Sequence, residues 1–75
     1  MRVISVEYLK DYQLKITFSN GKVKVIDFKS FLLNEPMYKK YRNIKNFQNV
    51  KVVNGLLSWN DELDFSSSSL YNWKD

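Results

Sequence analysis

Residues 12–28 read Tyr12-Gln13-Leu14-Lys15-Ile16-Thr17-Phe18-Ser19-Asn20-Gly21-Lys22-Val23-Lys24-Val25-Ile26-Asp27-Phe28. Tyr12, Leu14, Ile16 and Phe18 alternate with Gln13, Lys15 and Thr17, which is the pattern of a strand with one buried and one wet face. Asn20-Gly21 follows. That pair predicts a type I′ hairpin turn, because both central residues must accept positive φ. A third strand over 22–28 places Val23, Val25 and Asp27 on one face and Lys22, Lys24, Ile26 and Phe28 on the other. Its alternation is imperfect, so either both faces are covered or a bulge lies near Val25-Ile26.

Working outward toward the N-terminus, residues 2–8 are rich in β-branched side chains and predict a first strand with Ile4 and Val6 inward. Leu9-Lys10-Asp11 is its turn. Toward the C-terminus, Asp27 to Leu33 predicts the end of a strand and then a short helix that Asp27 caps, with Phe31, Leu32 and Leu33 as apolar residues. Asn34-Glu35-Pro36 breaks it. Met37, Tyr41 and Ile44 then share one helical face, which leaves Lys39, Lys40 and Arg42 exposed. A strand is expected over 46–53, a second Asn-Gly turn at Asn54-Gly55, and a paired strand over 56–59. Asn60-Asp61-Glu62 turns the chain and Leu63-Asp64-Phe65 follows. Ser66 to Trp73 predicts a terminal helix with Ser66 or Ser67 as N-cap. The expected fold is one α+β domain over 1–75: a small antiparallel sheet of about five strands from two hairpins, a short helical insert and a C-terminal helix.

Composition narrows the chemistry. The chain has 75 residues, with no Cys and no His. There is accordingly no disulfide, no thiolate or imidazole metal ligand, and no His base for a triad. No apolar run approaches the roughly 20 residues of a membrane helix. The N-terminus is too interrupted by polar residues to be a signal peptide. No cofactor, small-molecule substrate or membrane contact is indicated, and a cytoplasmic location is expected from the lack of Cys. An enzyme reading ranks last, since its nucleophile and base would come from Ser, Lys, Asp, Glu or Tyr alone.

The charge is uneven. Residues 1–53 carry 11 basic and 4 acidic side chains, whereas residues 54–75 carry one Lys and 4 acids. Lys39, Lys40, Arg42 and Lys45, interleaved with Tyr38, Tyr41 and Phe47, form the best candidate nucleic-acid patch. Against it stand the scarcity of Arg and the ordinary reading of a charge run as a solvated face. Asp61, Glu62 and Asp64 cluster, but their spacing is not that of a calcium loop. Asp64 then reads as a cap for the terminal helix. Trp59, Tyr71 and Trp73 are either an aromatic anchor for a partner or core side chains.

The order Val3-x-x-Val6, Leu14-x-Ile16-x-Phe18-x-Asn20-Gly21, Asp27, Phe47-x-x-Val50, Trp59, Asp64 and Leu70-Tyr71 resembles the bacterial family called domain of unknown function 2442. One departure is Asn60-Asp61-Glu62, where that family usually has an Asn-Gly-type turn. The family has no established activity. Some members are fused to a helix-turn-helix domain; none is expected here, because the chain ends soon after the matching region. Many look like small partners of another short gene product, in the manner of toxin–antitoxin pairs. The resulting expectation is a non-enzymatic protein-interaction module, an adaptor or antitoxin-like partner of another small protein, or a homo-oligomer. Binding would use a free edge strand and an aromatic anchor, with Trp59, Asp61, Glu62, Tyr71 and Trp73 as the candidate partner-binding residues. The alternative is a nucleic-acid accessory protein acting through Lys39, Lys40, Arg42 and Lys45.

Overall fold

A computed structural model describes residues 1–60 and 62–74. The first meander runs β1 (Val3–Lys10), β2 (Gln13–Phe18) and β3 (Val23–Asp27), paired antiparallel in that order. Leu14, Ile16 and Phe18 are fully buried, as their alternation predicts. The helical insert comprises α1 (Lys29–Asn34), a 3₁₀ stretch over Pro36–Arg42 kinked at Tyr38, and α2 (Ile44–Phe47). A second meander runs β4 (Lys51–Val53), β5 (Leu56–Trp59) and β6 (Leu63–Phe65), and α3 (Ser67–Tyr71) closes the chain. The α+β class holds, but there are six strands in two three-stranded sheets rather than about five in one. Leu63-Asp64-Phe65 is the additional strand, paired with Leu57-Ser58-Trp59.

The inner face of the first sheet, the second sheet and the helices enclose one hydrophobic cluster. At its centre lie Phe18, Phe28, Tyr41, Phe47 and Trp59. Aromatic edges meet faces throughout it, as between Phe28 and Trp59 at 5.8 Å and between Trp59 and Phe65 at 5.9 Å. Such pairs add about 0.5–1.5 kcal/mol each beyond the area they bury.

Two register shifts change the reading of β1. Val3 faces Phe18 and Ser5 faces Thr17, so Ile4 is an extra residue on β1; Leu9 is extra in the same way between Tyr8 and Lys10. Each bulge resets the inside–outside parity. Val3 is therefore buried while Ile4, expected inward, is 58% exposed. Between the bulges Val6 and Tyr8 pack against the core. β3 has no such shift, and its pairing with β2 is regular throughout.

The two Asn-Gly turns differ. Asn54 and Gly55 both have positive φ, 53° and 80°, as a type I′ turn requires. At the first turn Gly21 alone is left-handed. Gly21 N donates to Phe18 O and Phe18 N to Lys22 O. This is a three-residue loop closed by a glycine bulge, the next commonest hairpin after the two-residue form. The Asn20 side chain accepts from Lys22 N at 3.0 Å and stabilises the wider loop.

The strand expected over 46–53 begins only at Lys51. Asn43 Oδ1 accepts from Lys45 N and Asn46 N, which nucleates α2 in place of strand. Phe47 still reaches the core, now from a helix. The expected caps fall close to their places. Asp27 Oδ1 accepts from Lys29 N at 2.9 Å, and Ser66 Oγ accepts from Ser69 N at 3.2 Å. α3 is shorter than expected and ends before Trp73. Among the described residues no helix is long and apolar enough to cross a membrane.

Gly55 joins the two sheets. Its carbonyl accepts from Val3 N at 2.9 Å, and a Cβ there would lie 3.1 Å from Arg2 Cβ and 2.7 Å from Arg2 Nε. Gly55→Ala combines a left-handed backbone penalty with displacement of Arg2 from this seam. We expect a loss of about 1–2 kcal/mol, read as a lower urea midpoint with an unchanged slope.

Candidate functional site

The residues expected to bind a partner divide between core and surface. Trp59 is 1% exposed, and its indole Nε1 donates to Phe47 O at 2.8 Å. It is a core side chain rather than an anchor. Tyr71 is half-buried, edge-on to Phe18 at 5.2 Å, and its hydroxyl accepts from Asn20 Nδ2. Trp73 is also half-buried, against Phe28 at 5.0 Å and Phe65 at 5.4 Å. Asp61 lies outside the described residues. Asp64 sits exposed in β6, and Ser66 caps α3 in its place.

Glu62 and Lys40 come from the two opposite candidate sets, and the fold pairs them. Lys40 Nζ lies 2.7 Å from Glu62 Oε2, and the Tyr41 hydroxyl donates to the same oxygen at 3.2 Å. The contact ties the 3₁₀ stretch to the β5–β6 turn. The hydrogen bond and charge of Glu62 raise the Lys40 ammonium above its ordinary 10.5, and Lys40 in turn lowers Glu62 below 4.5. Burial, followed by the charge of Glu62, raises the Tyr41 phenol. The contribution of the pair is thus complete from 4.5 to 10.5. It is lost as pH falls through the lowered Glu62 value, or rises through the raised Lys40 value. Both groups are well solvated, so the effect is small. The melting temperature of Glu62→Gln should run parallel to wild type near neutrality and converge on it below pH 4.

Little of the expected nucleic-acid patch is free. Arg42 Nε donates to Leu32 O at 2.8 Å and its Nη2 to Leu33 O at 3.3 Å, so the guanidinium caps the end of α1. With Lys40 on Glu62, Lys39 and Lys45 remain as uncommitted cations among the described residues. Two lysines on a 3₁₀ stretch and a one-turn helix make a poor track for a phosphate backbone.

The structure instead exposes a feature along β3. Phe18 N bonds to Lys22 O and Phe28 N to Tyr12 O at the two ends of the β2–β3 ladder. Antiparallel pairs alternate, so Lys24 and Ile26 bond to β2, whereas the N–H and C=O groups of Val23 and Val25 face away from it. No partner among the described residues meets those groups. Val23 and Val25 are 45% and 52% exposed. At the Asp27 end of this edge lies an open cleft of about 410 Å³, lined by Asp27, by Lys29, Ser30, Phe31 and Asn34 of α1, and by Trp73 and Lys74.

Lys24 fixes the position of Trp73. Its Nζ crosses the inner face and donates to the carbonyls of Leu70, Tyr71 and Trp73 at 3.2, 2.8 and 3.1 Å. Sequence reasoning missed Lys24 and Phe31. The signal available was the broken alternation of 22–28, where a cation shares the face of Ile26 and Phe28.

The molecule is therefore a two-sheet α+β domain in which the β3 edge is open among the described residues and leads to an aromatic cleft. The chain belongs to a family described as protein of unknown function (DUF2442), which matches residues 3–75. Comparison with curated proteins and with solved structures finds no match.

Proposed function

We propose that this domain is a protein-interaction module that takes an extended segment of another small protein as an added strand on β3, in the manner of an adaptor or an antitoxin-like partner. The supporting observation is the edge of β3, where the outward amides of Val23 and Val25 have no partner among the described residues and both residues are exposed. Native edges are usually shortened, bulged, covered or charged; here the charges lie at the strand ends, on Lys22 and Asp27, while Lys24 turns to the inner face. In the first sheet both bulges fall on β1, whereas β3 is regular.

The test is a variant that blocks the edge without touching the ladder. Val25 N–H points away from β2, so Val25→Pro removes an outward donor and no internal bond. Wild type and variant are used as bait in host extract. We expect wild type to retain one stoichiometric small protein and to gain amide protection at Val23 and Val25 on binding it. A Val25→Pro chain of unchanged circular dichroism should release that protein. Equal retention by both chains would reject strand addition.

A further inference from the structure

The charge and aromatic content around this edge identify the kind of segment it takes. The inference rests on the strand-addition reading and specifies its partner. Lys22 lies at one end of β3, and Lys29 and Lys74 flank the cleft at the other. Among the described residues none of these three forms an ion pair. Among the described residues the carboxylate that lines the cleft is Asp27, which already accepts the Lys29 amide. Lys24, between them, spends its ammonium on three backbone carbonyls and not on an acid. Such an edge repels a cationic strand and attracts an anionic one. It also disfavours a second copy of β3, which would bring the same lysines together.

The cleft adds a side-chain requirement. Phe31 and Trp73 stand 6.1 Å apart between ring centroids, with their planes at 61°. Both rings are half-buried, and both line the cleft that opens at Asp27. A strand paired with β3 alternates its side chains between the two sheet faces. One alternate set passes over Val23 and Val25, and the other points toward Lys22 and the cleft.

We infer that the β3 edge takes an extended acidic peptide whose residues over Val23 and Val25 are apolar, and whose opposite face offers carboxylates to Lys22, Lys29 and Lys74 around one aromatic side chain seated in the cleft against the joined rings of Phe31 and Trp73. Backbone pairing supplies the register, the lysines supply the charge preference, and the cleft supplies the anchor.

The probe is the capped nonapeptide Asp-Val-Glu-Val-Phe-Val-Glu-Val-Asp, which has no Trp. Binding is read by fluorescence of Trp73, with Trp59 buried and constant. Three comparison peptides separate the causes: one with Asn and Gln for the acids, one with Lys for the acids, and one with all four Val N-methylated. At about 0.02 M salt the acidic peptide should bind at least about tenfold tighter than the amide peptide, and the gap should close at about 0.5 M as charges are screened. N-methylation should weaken it by a similar factor, since the added strand loses its donors. Lys29→Glu with Lys74→Glu, at unchanged circular dichroism, should reverse the preference toward the Lys peptide.

Equal binding of the acidic and amide peptides, with N-methylation still harmful, would overturn the charge assignment and leave strand addition standing. Binding indifferent to N-methylation, or tighter binding of an oligo-dT 20-mer, would overturn the peptide assignment. If no peptide binds while Val25→Pro still releases the captured host protein, the acidic–aromatic assignment fails alone. If that release also fails, the interaction reading fails with it.

Discussion

Trp59→Ala should leave the chain with little or no native baseline in urea at 25 °C. Trp59 touches the ring systems of Phe28, Tyr41, Phe47 and Phe65 at centroid distances of 5.8, 6.1, 5.7 and 5.9 Å, and so joins the β3–α1 junction, the helical insert and the second sheet. Truncating a buried Trp costs about 3–5 kcal/mol. The carbonyl of Phe47, which now accepts the indole N–H, would also lose its partner, at about 1–3 kcal/mol if water does not reach it. A domain of this size has about 4–11 kcal/mol in total. The sum of the losses lies within that range, so the native baseline in urea should shorten or vanish. Trp59→Phe retains most of the packing and should still melt cooperatively at a lower midpoint. A cooperative melt of Trp59→Ala at the wild-type midpoint would show that the core does not converge on this residue.

The elements that could be read from the chain are those fixed by neighbours in sequence. Leu14, Ile16 and Phe18 alternate, and they are buried; Asn54-Gly55 carries the left-handed pair its chemistry favours. The misreadings arise where a distant contact decides between local options. Nothing between Val3 and Ser5 marks Ile4 as an extra residue. The bulge follows from docking Val3 N on Gly55 O, 52 positions away in the chain. Asn20-Gly21 suits either of two hairpin loops, and the register of Phe18 with Lys22 selects the wider one. At 44–47, the cap of Asn43 prevails over the β-branched content that follows it.

The same limit applies to the site. Lys40 and Glu62 read as members of two separate charged patches because 22 positions lie between them. In the fold they meet. The strongly basic first part of the chain loses much of its apparent meaning once three of its cations are located. Lys24 and Arg42 satisfy carbonyls at the ends of short helices, and Lys40 pairs with Glu62. Helices of one or two turns leave most of their terminal C=O groups without internal partners, and a cation from elsewhere meets that need. Part of the excess positive charge is thus structural. Of the cations that remain, Lys22 and Lys29, joined by Lys74 from the end of the chain, lie beside an edge that no described element pairs with.

Lys24→Met tests that division. The substitution preserves the aliphatic stem over Ile26 and Phe28 and removes the ammonium that holds the carbonyls of Leu70, Tyr71 and Trp73. Hydrogen bonds to a charged donor contribute about 1.5–3 kcal/mol where partly buried. We expect a loss of that size, visible as a lower urea midpoint. The more telling readout is local. α3 is five residues long and capped at its start by Ser66, so its end depends on Lys24. In Lys24→Met the amides of Asn72 and Trp73, bonded to Ser68 O and Leu70 O, should exchange faster than those of β2. The emission of Trp73 should move to the red as the ring leaves Phe28 and Phe65. Lys24→Arg keeps a charged donor of similar reach and should recover most of the midpoint. If Lys24→Met lowers the midpoint while Trp73 emission and the Asn72 amide stay unchanged, α3 is held by Leu70 and Tyr71 packing alone, and the lysine acts elsewhere. If the emission shifts, the cleft beside Phe31 loses its second wall, and any segment anchored there should bind more weakly in proportion.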